Sequence, residues 1–130
     1  MNKKIHPLFV ALSIIISLSL VSSITASIGN SRMILRLDVN ETLEKYILVK
    51  NVNDVDVTVE LFKSGDLADY IQIKENNITL SPGEEKNIYF TIKSPQKGMS
   101  VSKINVKFTP EDGPSVGLSS TITLIAGNST

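Results

Sequence analysis

The stretch that decides the fold runs from Val55 to Phe62 and reads VDVTVELF. Its aliphatic residues fall on every second position, and side chains two positions apart lie on the same face of a β-strand. This period of two predicts a strand with one buried face. The face predicted to be buried consists of Val55, Val57, Val59 and Leu61.

The same alternation continues on both sides of this stretch, in runs separated by residues that favour turns. Together with Val55 to Phe62, these runs predict seven strands in the chain. The other six predicted strands are the run carrying Met33, Leu35, Leu37 and Val39, and the ranges 44–50, 70–74, 87–93, 102–109 and 116–126. In the last of them, we expect Gly117 to form a β-bulge.

Two of the connections have a recognisable local chemistry. Ser81-Pro82-Gly83-Glu84 predicts a type II turn, because proline sets φ at the second position and glycine accepts the positive φ of the third. The range 64–69 breaks the alternation, and its serine and aspartate ahead of Leu67 predict one capped helical turn whose leucine plugs the core.

The fold class that follows is all-β, a seven-stranded antiparallel immunoglobulin-like sandwich with no helical period longer than one turn. The chain has no cysteine and no tryptophan. The relationship to antibody domains is therefore architectural only, without their disulfide and buried tryptophan.

The first residues have the order of an export signal. Lys3 and Lys4 precede a run that carries no charge from Pro7 to Ser31, and small residues follow near Ala26. We predict a signal peptide over 1–26, cut after Ala26, and a β-sandwich domain over 27–130. The apolar run is also long enough to span a membrane as an uncleaved anchor helix. The predicted location is extracytoplasmic, secreted or at the cell surface, with membrane contact only if the segment is uncleaved.

Charge and composition exclude several functions. Without Lys3 and Lys4, 11 basic residues face 13 acidic ones, which is no surplus for binding nucleic acid. The only histidine, His6, lies in the predicted signal, so the domain cannot form a Ser-His, Cys-His or histidine-ligated metal site. We predict that the protein is not an enzyme and uses no cofactor.

Paired acidic residues fall at predicted turns, where solvated carboxylates are ordinary: Asp54/Asp56, Asp66/Asp69, Glu84/Glu85 and Glu111/Asp112. A sharper alternative is a calcium site, because several oxygens from one loop suit a hard cation. Its ligands would be Asn51, Asn53, Asp54 and Asp56, although their spacing is not that of an EF-hand.

Four lysines, at 93, 97, 103 and 107, lie on or beside neighbouring predicted strands. They could form a mildly basic face, but strand lysines more often protect sheet edges from pairing, which is the interpretation we favour here.

Three N-glycosylation sequons begin at Asn40, Asn77 and Asn128. Each falls in a predicted turn or tail, outside the strands. With export, this placement makes glycosylation of one or more of them a hypothesis.

The chain also resembles the Ig-like modules of archaeal and some bacterial secreted and cell-surface proteins. The resemblance is carried by the ranges 46–51, 57–61, 64–71 and 80–92, and by the step Ile92-Lys93-Ser94-Pro95 after the Pro-Gly-Glu turn. It implies an extracellular sandwich with a structural or adhesive use and brings no catalytic residues.

Two functions stay open. The first is a non-catalytic exported module that binds an envelope protein or a glycan. The second is a subunit of an extracellular filament, in which the strand with Met33, Leu35, Leu37 and Val39 pairs with another copy of the chain. We expect that strand to belong to its own sandwich.

Overall fold

The computed structural model describes residues 24–127. Within them, nine strands and one 3-10 turn form, and there is no α-helix in this range. The strands are β1 Ser27–Gly29, β2 Arg32–Leu37, β3 Leu43–Lys50, β4 Val57–Gly65, β5 Ile71–Ile73, β6 Asn77–Leu80, β7 Glu85–Ile92, β8 Gly98–Pro110 and β9 Val116–Ala126; the turn is Ala68–Tyr70. The predicted N-terminal signal or anchor helix lies outside the described residues except for its last three positions.

Two sheets enclose the core. One has four strands in the order β1-β3-β7-β5, and the other has five in the order β2-β9-β8-β4-β6. Phe90 of the first sheet and Phe108 of the second are the largest fully buried side chains among the described residues. The core is built from the alternating apolar residues, since Val57, Val59 and Leu61 are all buried. The prediction was wrong for Val55, which precedes β4 and is 46% exposed. The all-β sandwich predicted from the sequence is therefore confirmed.

The predicted type II turn is also confirmed. Gly83 has a φ of 78°, and the Glu84 N–H donates to the Ser81 carbonyl across 3.0 Å. Leu67 plugs the core as expected and is 6% exposed. The helical turn that follows it has no side-chain cap; the Leu67 N–H instead donates to the Ser102 hydroxyl, 2.9 Å away.

The predicted number of seven strands was wrong, because two short strands were missed. β1 has three residues at the border of the predicted signal peptide, and β6 has four. Strands this short contain too few positions for a period of two to stand out.

The sandwich is not wholly antiparallel, because β2 pairs in parallel with β9. The chain leaves β1, passes Asn30 at a φ of 62°, and enters β2 of the other sheet after two residues. The Ser120 hydroxyl donates to the Asn30 carbonyl, 90 positions away in sequence, and so holds this crossing in place. The first long strand and the last strand of the domain are thereby neighbours.

The expected bulge at Gly117 was wrong. The register between β8 and β9 runs without interruption from Gly98 opposite Ala126 to Phe108 opposite Val116. Ser120, which is fully buried, occupies the core-facing position between Leu118 and Ile122. Gly117 pairs regularly with Lys107 on the outer face, so the glycine does not interrupt the strand.

Candidate functional site

The predicted acidic pairs lie on exposed loops or strand starts, and Asp56, Glu111 and Asp112, from two of the pairs, line one depression. Among residues 24–127, no group of three or more acidic side chains is placed to hold a metal ion. The same range contains no helix with the length and apolar character needed to cross a membrane.

Asn51 and Asn53, two of the predicted calcium ligands, instead make hydrogen bonds that stabilise their own loop. Asn51 is fully buried, and its side-chain nitrogen donates to the carbonyls of Val55 and Leu80 at 2.7 and 3.0 Å. Its side-chain oxygen accepts from the Asn53 N–H at 3.0 Å and from the Asn53 side chain at 3.1 Å. Asn53 also exchanges two hydrogen bonds with the backbone of Thr25, at 2.8 and 2.9 Å. These amides have a structural role.

Two of the three sequons fall within the described residues. Asn40 is exposed in a turn at a φ of 66°. Asn77 is exposed as well, but it is the first residue of β6 and not part of a turn, so its predicted placement was wrong. Asn128 lies outside the described residues.

The favoured interpretation of the lysines as edge protection does not hold for Lys103 and Lys107. Both lie on β8, the central strand of the five-stranded sheet, and both are exposed on its outer face. Lys107 stands opposite Glu60 of β4. The register places Lys103 opposite Thr121, which in turn lies beside Arg32 of β2. The outer face of this sheet is therefore basic through Arg32, Lys103 and Lys107. Lys93, which follows β7, and Lys97, which precedes β8, are not on these strands, so the basic face predicted from four lysines contains only two of them.

An apolar patch lies on this basic face, across β2, β9 and β8. Met99 and Ile34, at 72% and 65%, are the most exposed large hydrophobic side chains among the described residues. Ile125 lies opposite Met99, and Val101 is 41% exposed. The patch consists of Ile34, Met99, Val101 and Ile125.

Basic residues flank the patch. Arg36 aligns with Ile125, and Arg32 and Lys103 occupy the row beyond Thr123. All three cations are exposed. Asp66 lies beside Val101, where its carboxylate accepts the Val101 N–H across 3.1 Å. Contiguous exposed apolar side chains with a polar rim are typical of protein interaction sites.

The opposite end of the sandwich is acidic. The loop before β4 carries Asp54 and Asp56, and the loop after β8 carries Glu111 and Asp112. These loops meet, because Val55 and Asp56 share a depression with Pro110, Glu111 and Asp112. We call this surface the acidic end and define it by Asp54, Val55, Asp56, Glu111 and Asp112.

The outer face of the four-stranded sheet has a different character. Tyr46 and Tyr89 are 40% and 41% exposed, with ring centroids 5.7 Å apart and planes inclined by 55°. Lys74 lies 5.9 Å from the centroid of the Tyr89 ring and forms a 2.7 Å salt bridge with Glu44. A sugar stacks best on a flat aromatic surface, which two inclined rings do not provide, so this face is the weaker candidate.

The strand considered for exchange pairs within its own chain. β2 follows β9 along all six of its residues, and Leu35 and Leu37 are buried in the core. Met33 and Val39 are partly buried against the same core. This agrees with the expectation that these residues belong to their own sandwich.

The patch was missed in the sequence. Ile34 stands on the polar parity of its strand, between Arg32 and Arg36, and Met99 precedes the predicted start of the strand at 102. The sequence signal that could have indicated the patch is an isoleucine that alternates with two arginines on the side of the strand that faces solvent. The neighbouring strands that complete the patch are known only from the sheet order.

No protein-family model matches the chain. The uncharacterized protein MJ0288 of Methanocaldococcus jannaschii is 30% identical over 137 residues, covering 94% of this chain and 77% of that protein. Among solved structures, a PapD-like domain of human CEP192 aligns with a TM-score of 0.70 at 14% identity, covering 83% of this chain and 89% of that domain.

Two bacterial chaperone structures share the fold. The Escherichia coli chaperone DraB aligns with a TM-score of 0.64 at 12% identity, covering 78% of this chain and 54% of that one. The CsuC-CsuE chaperone-tip adhesion subunit complex of Acinetobacter baumannii gives a TM-score of 0.63 at 14% identity, with 79% and 52% covered. The chain thus spans about half the length of these two structures. At such identities the likeness shows the fold alone, a PapD-like relative of the Ig sandwich.

Proposed function

The chain belongs to the same family as the uncharacterized Methanocaldococcus jannaschii protein, and from its PapD-like fold and exposed patch we propose that it is a non-catalytic, exported protein-binding module. The observation that carries the binding role is the patch of Ile34, Met99, Val101 and Ile125. When a partner covers apolar side chains that face water on the outside of a sheet, the free energy of the system falls, which favours binding.

A protein is the class of partner that best fits this surface. The patch offers aliphatic and thioether side chains, which pack against other apolar side chains, and it offers no aromatic ring for a sugar. Complexes of chaperones with pilin subunits occur among the structures that share the fold, and this supports a protein partner.

Export is supported by the sequence of residues 1–26, with two lysines ahead of a long uncharged run. The exposed Asn40 and Asn77 are candidates for glycosylation, and we extend this proposal to Asn128. An intact mass equal to that of the bare polypeptide, with or without residues 1–26, would contradict glycosylation.

The second candidate, a filament built by strand exchange, would require β2 to leave β9 and expose Leu35 and Leu37. The turn after β2 is also tied down, because the Asn40 N–H donates to the Ser94 carbonyl across 2.8 Å and the Glu41 N–H donates to the Asp38 carbonyl across 3.0 Å. These contacts favour the module over the exchanging subunit.

The proposed function is tested in the producing cells with a photo-reactive residue placed at Ile34 in the full-length chain. We expect the protein in the extracytoplasmic fraction and a light-dependent adduct with a protein. The matched control carries the same residue at Asn87, which is exposed on the outer face of the other sheet. A cytoplasmic location, or equal labelling from both positions, would overturn the proposal.

A further inference from the structure

We propose that the protein partner of the patch is the acidic end of a second copy of this chain, so that copies associate head to tail. This inference rests on the proposed binding role of the patch. It names the partner by three properties of the described surface, which are charge, apolar content and position.

The charges of the two surfaces are opposite. Arg32, Arg36 and Lys103 flank the patch against the single carboxylate of Asp66, and the acidic end carries four carboxylates, three of which line the depression beside Val55. The two salt bridges among the described residues, Lys74–Glu44 and Lys86–Glu75, involve none of these groups. Both sets of charges thus remain available to steer and orient an encounter.

Apolar groups are exposed on both surfaces. At the acidic end, Val55 is 46% exposed, and Val52, three residues earlier in the same loop, is 47% exposed. The depression beside Val55 is bounded by Pro110 and three acidic residues. Met99, the most exposed large side chain of the patch, is unbranched and can adapt to such a depression.

The two surfaces cannot meet within one copy. Met99 lies near the start of β8 and Pro110 ends it, so that at about 3.3 Å per residue they are roughly 35 Å apart. A contact between two different surfaces of identical chains is heterologous, and it leaves one surface of each kind free at the ends of the assembly. Association of this kind continues from copy to copy.

The first test uses the absence of cysteine from the chain. Full-length Met99→Cys and Val55→Cys variants, carrying different epitope tags, are produced together in the same cells and treated with a short bis-maleimide. We expect a cross-linked dimer that carries both tags. Each variant alone should give none, and the pair Phe62→Cys with Val55→Cys is the matched control, because Phe62 is 50% exposed on the same sheet face but outside the patch.

The second test reverses charges in the full-length protein, kept in one detergent throughout and measured by sedimentation. Arg32→Glu with Arg36→Glu, and separately Asp56→Lys with Asp112→Lys, should each weaken self-association about tenfold or more, as a loss of about 1.4 kcal/mol would. Mixing the two variants should restore association, because each then offers the other a complementary surface. Circular dichroism confirms that both variants remain folded.

Three results would overturn the inference. A Met99→Cys variant that cross-links to itself would indicate a patch-to-patch dimer. Self-association that is not weakened by the charge reversal at Asp56 and Asp112 would exclude the acidic end as the binding partner of the patch. A protein that stays monomeric at every concentration while Ile34 still labels another protein in cells would refute self-association and leave the proposed function standing.

Discussion

The side-chain nitrogen of Asn51 lies 3.0 Å from the backbone oxygen of Leu80, and this bond joins the ends of two strands that belong to different sheets. Asn51 follows β3 and Leu80 ends β6. Both residues are buried, so water cannot replace the bond. This amide therefore fastens the two layers at the end of the sandwich where the acidic loops lie.

We expect Asn51→Ala to lower the free energy of unfolding by about 3 kcal/mol, because it leaves the buried Leu80 carbonyl and the part-buried Val55 carbonyl without this donor, and a buried unsatisfied group costs about 1–3 kcal/mol. Urea unfolding measures the loss. Asn87→Ala is the control. Asn87 is exposed on β7, which pairs with β3, and its substitution should change the free energy of unfolding by no more than about 0.5 kcal/mol. Equal effects at the two positions would contradict the role of Asn51.

Gly65→Ala should be strongly destabilising. Gly65 has a φ of 98°, and a Cβ placed there would lie 2.6 Å from the Ser102 Cα and 2.8 Å from the Val101 carbonyl oxygen. Left-handed strain alone costs about 1–3 kcal/mol, and the backbone clash adds to it. The thermal midpoint of Gly117→Ala serves for comparison, since a Cβ there meets only the Val106 oxygen at 3.8 Å. Similar midpoints for both variants would be evidence against this account.

Leu67→Ala should cost about 2–5 kcal/mol, the usual range for removing a buried leucine side chain. Leu67 is 6% exposed and is held by the bond from its N–H to the Ser102 hydroxyl. Phe62→Ala, at a side chain that is 50% exposed, should change stability far less despite the larger truncation. Chemical unfolding of the two variants side by side tests whether Leu67 plugs the core.

A chain that begins at Ser27 should be less stable than one that begins at Ile24. The cut after Ala26 removes both hydrogen bonds between Thr25 and Asn53, worth about 1 kcal/mol each, and the partial burial of Ile24 and Ala26. Thr25→Ala in the longer chain is the control, because the backbone of Thr25 makes both bonds. Equal unfolding midpoints for the two lengths would show that the segment adds nothing.

The sequence was informative about which residues face the core and much less so about which strands are neighbours. The alternation of Val57, Val59 and Leu61 places them correctly because burial selects apolar side chains at every second position. Alternation carries no information about sheet order, so the parallel pairing of β2 with β9 could not be predicted from it.

The candidate site depends on that missing information. Ile34 and Met99 belong to runs far apart in the sequence, and only the order β2-β9-β8 brings them to one surface. The prediction that Lys103 protects a sheet edge was wrong for the same reason. Lys103 lies on β8, the central strand of the sheet, and no local sequence pattern indicates that position.

The crossing between Asn30 and Ser120 has a consequence for the order of events during synthesis. The two residues are 90 positions apart, and the five-stranded sheet stays incomplete until the last strand has left the ribosome. Contacts this distant in sequence slow folding, since the long loop between them must close first. A chain that folds late stays unfolded for longer and can pass through a narrow pore in that time, which is compatible with the export proposed from residues 1–26.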